Sequence, residues 1–113
     1  GGDFTSKRIE HRVAGGDTNP YLVMTAVLGS ALLGIEKKLT PIKPVMNNAY
    51  SNSAEKLARN WKDAINYFEN DKEIKQIFSN ELIENLVRTK RQELNKFKKI
   101  ESKKHWKYYV AAV

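Results

Sequence analysis

The chain holds 113 residues, 41% hydrophobic and 29% charged, a composition that fits one globular unit and is too rich in large apolar residues for a disordered chain. It has no cysteine, which excludes a disulfide framework and any cysteine metal site and fits a reducing, cytoplasmic setting. The formal net charge is +7, and the stretch after Val87 carries all of it, nine cations from Arg88 to Lys107 against Glu93 and Glu101.

In chain order, residues 4–13 are expected to form a strand, since alternate residues then fall on opposite faces. Ile9, His11 and Val13 share one face, and Arg8, Glu10 and Arg12 the other. The first residues, Gly1-Gly2-Asp3-Phe4-Thr5, form neither a signal nor a transit peptide, and with no starting methionine Gly1-Gly2 reads either as an expression scar or as the point where a longer chain was cut. Ala14-Gly15-Gly16-Asp17-Thr18 is a turn. Asn19 caps the helix that follows and Pro20 suits its first position. This helix, expected over 20–38, carries no charge from Tyr21 to Ile35 and is apolar around most of its circumference. Such a helix is buried in a larger protein or spans a membrane. Pro20 to Ile35 is short of the ~20 residues a bilayer needs, so burial is the expectation and a membrane is not. The rest of the chain is too small to wall it in on every side.

Residues 40–52, with Pro41, Pro44, Asn47 and Asn48, read as a loop. The region 53–113 is helical. Leu57, Trp61, Ala64, Ile65 and Phe68 keep helical spacing, with either Ser53 or Asn60 as cap, the latter with Asp63 three residues on. A short helix runs from about Lys72 to Phe78. A long one starts at Ser79 or Asn80 with Leu82, Ile83, Leu86, Val87, Leu94, Phe97 and Ile100 on a stripe that Lys90 and Arg91 interrupt. A last short helix holds Trp106, Tyr109 and Val110. The fold class is therefore mainly α with one N-terminal strand.

The strand carries the sharpest chemistry. Arg8, Glu10 and Arg12 stand about 6.5–7 Å apart along one face. A carboxylate there can take a divalent cation, and flanking guanidiniums can grip phosphate or carboxylate in bidentate fashion. An exposed strand face with cross-strand ion pairs has the same spacing. His11 reads as an edge histidine, and His105 has no nearby partner in sequence. Trp61, Trp106, Tyr108 and Tyr109 read as packing residues, although aromatics beside lysines also stack on bases. The basic tail reads first as a solvated helix face.

Lys7-Arg8-Ile9-Glu10-His11-Arg12-Val13-Ala14-Gly15, followed by Asp17-Thr18-Asn19-Pro20-Tyr21-Leu22, resembles the signature near the C-terminal end of glutamine synthetases. That pattern is Arg-x-Glu-x-Arg, a turn, then Ala-Asn-Pro-Tyr-Leu opening an apolar helix that ends in Gly-Ile, as Gly34-Ile35 does here. The similarity extends over nearly the whole chain and is best to the branch that joins glutamate to amines or polyamines. Thr18 replaces the usual Ala. The resemblance implies a C-terminal fragment of an α+β catalytic domain. It makes Glu10 a ligand of Mg2+ or Mn2+, Arg8 a contact of the ATP phosphates, and Arg12 a contact of glutamate. It implies phosphorylation of the glutamate γ-carboxylate by ATP, displacement of phosphate by an amine or ammonia, and a ring-like homo-oligomer. The family's other metal ligands and ATP-gripping segments would lie upstream of Gly1, so these residues alone are expected to be inactive. The rival reading is an independent basic helical module that binds nucleic acid or an acidic partner.

Overall fold

The computed structural model describes residues 5, 7–44, 46, 48 and 57–110. Phe4 and Ser6 of the expected strand, most of the second half of the 40–52 loop, the Ser53 cap and residues 111–113 lie outside the described residues.

Helix α1 spans Pro20–Glu36. The Asn19 side chain accepts from the backbone N–H groups of Tyr21 and Leu22, at 3.0 and 3.3 Å, satisfying two donors that the first turn leaves without intrahelical partners. The helix closes two residues before the expected end. Lys38 takes a left-handed φ of 51°, its N–H donates to Ile35 O, and that of Leu39 donates to Gly34 O. This pair of bonds ties up the last carbonyls, in a motif that usually places glycine at the left-handed residue.

α2 spans Trp61–Asn70. Of the two cap candidates Asn60 does the work. Its Oδ1 accepts from Asp63 N at 2.9 Å and its Nδ2 donates to Asp63 Oδ2 at 2.7 Å. The extended backbone at Asn60 ends the helix there, so Leu57, expected inside it, lies outside and 70% exposed. The Asp71 carboxylate accepts from Glu73 N and Ile74 N and opens α3, Ile74–Ile77, shorter than expected. Ser79 caps α4, Asn80–Phe97, by accepting from Leu82 N. A 3-10 turn over Ser102–Lys104 leads to α5, Trp106–Val110.

α2 packs along α4, and α1 meets α3. The core lies between them: Ile65 from α2, Phe78 after α3, and Ile83 and Val87 from α4 are buried. Leu22 and Ala26 of α1, with Trp61, Phe68, Ile74, Ile77, Leu82 and Leu94, close around them. Arg91, which breaks the apolar stripe, bridges the seam, its two terminal nitrogens donating to both carboxylate oxygens of Glu69 at 3.0 and 2.5 Å. Lys37 at the end of α1 pairs with Glu73. Gly29 brings α1 onto α3, since a Cβ there would stand 2.7 Å from Ile77 Cγ2.

On α1, Tyr21, Met24, Leu28, Leu32 and Ile35 are 57–80% exposed. The expected burial of this helix is therefore met on one side only. Full burial of such a side chain is worth about 1.5–3 kcal/mol, and nothing among the described residues supplies it.

The expected N-terminal strand is not formed among the described residues. Residues 7–12 form neither helix nor strand, Val13 and Ala14 form a bend, and no strand occurs elsewhere among the described residues. A strand is stabilised by a ladder with a second one, and the described chain offers no other extended segment to pair with.

Candidate functional site

His11 of residues 7–13 lies beside α1, and the chain turns through Gly16-Asp17 into the Asn19 cap. Even without a ladder the backbone keeps some of the alternation read from the sequence. Arg12 Nε donates to Glu10 Oε1 at 2.7 Å, and Arg12 Nη2 stands 2.5 Å from the same oxygen. The two side chains therefore share a side, as their spacing of two requires. His11 is exposed and borders a shallow groove against α1 with Val23, Ala26, Val27 and Ser30. Its companions Ile9 and Val13 are 71% and 63% exposed, so that face gains no core.

The Arg12 and Glu10 side chains are 83% and 58% exposed. An ion pair so open to water is worth about 0.2–1 kcal/mol and does not fix the segment by itself. Arg8 is exposed and has no ion pair among the described residues. The structure thus brings Glu10 and Arg12 together and leaves Arg8 apart. A cation held by protein groups alone needs several oxygen or nitrogen donors converging on one point. No group of three or more His, Asp or Glu residues converges in that way among the described residues. Glu10, with a guanidinium as its neighbour, does not fit Mg2+ or Mn2+ on its own.

A second neighbourhood was not foreseen from the sequence. The turn at Asp17, Thr18 and Asn19 faces Thr89 and Lys90 of α4 across a cleft of about 490 Å³ floored by Leu22, Ala26, Phe68 and Leu86. The one available signal was the interruption of the α4 stripe at Lys90. Beyond the cleft, Phe97 gathers the late aromatic residues. Tyr109 stacks on it at 5.2 Å and 12°, Tyr108 meets it edge-on at 5.8 Å, and Trp61 and His105 complete the cluster at 5.8 and 4.7 Å. Burial against this ring, helped by the charge of Glu93, raises the Tyr109 hydroxyl above its ordinary value. His105 Nε2 lies 3.0 Å from Ile100 O, so that nitrogen carries the proton and donates. The packing role expected of all four late aromatics holds for Trp61 and Tyr109. Trp106 and Tyr108 are instead 58% and 46% exposed.

Comparison with known proteins places these features in a family. The sequence profile of the glutamine synthetase catalytic domain matches residues 2–109. A glutamate–isopropylamine ligase of a Pseudomonas species is 42% identical over 89 residues, 76% of this chain and 19% of that protein. Gamma-glutamylputrescine synthetase of Escherichia coli is 38% identical over 71 residues, 62% of this chain and 15% of that protein. Glutamine synthetase of Sulfolobus acidocaldarius is 35% identical over 97 residues, 78% of this chain and 20% of that protein. The chain thus spans a fifth or less of the length of these relatives. No solved structure matches. No described helix is long and apolar enough to cross a membrane. With the Arg8, Glu10 and Arg12 spacing, the Asn19-Pro20 helix start and a match over nearly its full length, the chain belongs to the glutamine synthetase family and carries part of that family's catalytic domain.

Proposed function

We propose that this chain is the part of an ATP-dependent glutamate–amine ligase that carries Arg8, Glu10 and Arg12 into the active site. The observation that supports the reading most is the shared side of Glu10 and Arg12, joined at 2.7 Å, on a segment that leads straight into the Asn19 cap within the family match. The amine-ligase names among the relatives favour an amine over ammonia as the nucleophile. In the whole ligase residues 4–13 lie as a strand in a sheet, and the outer stripe of α1 is covered. The ligase works in the cytoplasm as a homo-oligomer.

The reaction has two displacements. A γ-carboxylate oxygen of glutamate attacks the terminal phosphorus of ATP, the bond to the bridging oxygen breaks, and ADP leaves with that electron pair. The acyl phosphate is then attacked at its carbonyl carbon by the amine nitrogen, phosphate departs, and the nitrogen gives up a proton. Arg8 holds the phosphate oxygens, with positive charge fixed where negative charge shifts during transfer. Arg12 grips the glutamate carboxyl, in bidentate geometry once it exchanges Glu10 for substrate. Glu10 orients Arg12 beforehand and would be one of several ligands of a divalent cation, the others coming from outside this chain, which would offset charge on the phosphates.

Single substitutions in the ligase-length protein test the assignment. Glu10→Ala is expected to lower kcat by about 10²–10³-fold, the scale for loss of one charge-stabilising contact, and to raise the Mg2+ concentration needed for half-maximal rate. Arg8→Ala is expected to raise the KM for ATP and Arg12→Ala the KM for glutamate. A Glu10→Ala enzyme that turns over at the parent rate sinks the proposal.

A further inference from the structure

The ligase reading leaves the basic, aromatic end of the chain unused. Residues 96–107 hold six lysines against a single glutamate. Lys103 and Lys104 share that glutamate, Glu101, as their only ion-pair partner among the described residues, at 3.6 and 3.1 Å. Lys96, Lys98, Lys99 and Lys107 make no ion pair among the described residues, and all six lysines are exposed. Two aromatic rings stand among them. Lys96 Nζ lies 5.1 Å from the centre of the exposed Tyr108 ring, and Lys107 Nζ lies 5.6 Å from that of Trp106. Tyr109 stacks inward onto Phe97, whereas Trp106 is exposed and Tyr108, which touches Phe97 by an edge, stays 46% exposed.

We infer that residues 96–110 form a binding surface for single-stranded nucleic acid, with Trp106 and Tyr108 stacking on bases and Lys98, Lys99, Lys103, Lys104 and Lys107 neutralising phosphates. Single strands present what this surface complements, a flat π-face beside each backbone charge. A duplex keeps its base faces stacked inside and engages the lysines alone. An acidic peptide supplies carboxylates but nothing planar for Trp106. A lysine stem lying along a ring is also ordinary surface packing; at Trp106 the ring it lies along is itself 58% exposed, so its face is open to a base. An anionic membrane meets lysines and tryptophan as well, but lies along longer amphipathic helices, and α5 has five residues. The surface lies away from Arg8, Glu10 and Arg12 in sequence, and the inference does not depend on the ligase reading.

The test uses the full chain, a labelled twelve-nucleotide oligothymidine read by fluorescence anisotropy, and circular dichroism to check the fold of each variant. Saturable binding is expected, weakening on the order of a hundredfold between 50 and 200 mM salt if about five phosphates are neutralised. Trp106→Ala is expected to weaken binding about tenfold while leaving the salt slope in place, as loss of one stacked base does. Should that variant lose its fold, Lys98, Lys99, Lys103 and Lys104, all exposed, can be changed to Glu together, and binding is expected to vanish. Absence of saturable binding at 50 mM salt overturns the inference. So does equal binding of a duplex with no effect of Trp106→Ala, which is bare charge attraction. Uptake by phosphatidylserine vesicles without uptake of the oligonucleotide overturns it in favour of a lipid surface.

Discussion

Ile83, in the first turn of α4, and Leu28, midway along α1, are nearly the same size, yet Ile83 is 4% exposed and Leu28 58%. The difference lies in what surrounds them. α4 carries an apolar stripe and α2 carries its counterpart, with Arg91 and Glu69 joining the two at the seam. α1 is apolar almost all round but meets the core through Leu22 and Ala26 and α3 through Gly29, leaving its other side open. A helix pair whose stripes complement each other makes a core wherever it is placed. A helix apolar on every side contributes fully only inside a larger assembly of elements. The residues proposed for catalysis belong to the second kind of region, on a segment that leans on α1 and has no ladder of its own.

The largest expected effect separates the two regions directly. Ile83→Ala should lower the unfolding free energy by about 2–5 kcal/mol, because it leaves a cavity in closed packing. Leu28→Ala should change it by no more than about 0.5 kcal/mol, as at any solvated position. Urea titration of both variants checks this, and an equal cost at Leu28 would mean that α1 is covered in solution.

A middle-sized effect concerns the one place where α1 does pack. Gly29→Ala forces a methyl against Ile77 and should cost about 1–3 kcal/mol from overpacking, reduced by the ~1 kcal/mol that alanine gains over glycine within a helix. Ile77→Ala in the same chain should remove the clash, so that the double variant loses less than the sum of the singles. Additive losses would mean that α1 and α3 do not touch as described.

The smallest effect has the opposite sign. Lys38 holds a left-handed backbone that favours glycine. Lys38→Gly should therefore raise stability by about 1 kcal/mol, a shift of a few degrees in Tm. No gain would mean that the helix end frays, so that the motif is not held in solution.

The features legible from sequence were the ones decided within a few residues. Asn19-Pro20, Asn60 with Asp63, and Ser79 cap their helices through N–H groups two or three residues away, and such signals survive in a linear reading. The α4 stripe was legible because its period is a property of α4 alone. Features set by distant partners were not. Arg91 reads as a flaw in that stripe until Glu69, 22 residues earlier in the chain, is seen beside it. Leu57 fits the α2 period, but the extended backbone at the Asn60 cap excludes it. Lys38 gives no sign of its left-handed backbone, since neither glycine nor asparagine marks the end of α1. In the candidate site, the pairing of Glu10 with Arg12 follows from their spacing. A strand there does not, since it requires a second strand that spacing cannot supply.

The most direct test of the account is glutamate-dependent phosphate release from ATP, with Mg2+ and an amine present, by residues 1–113 alone and by a ligase-length protein carrying the same sequence. The account predicts turnover by the longer protein and none by the 113 residues, since Glu10 has no companions among the described residues to complete a cation site. Metal- and glutamate-dependent turnover by the 113 residues alone would contradict it.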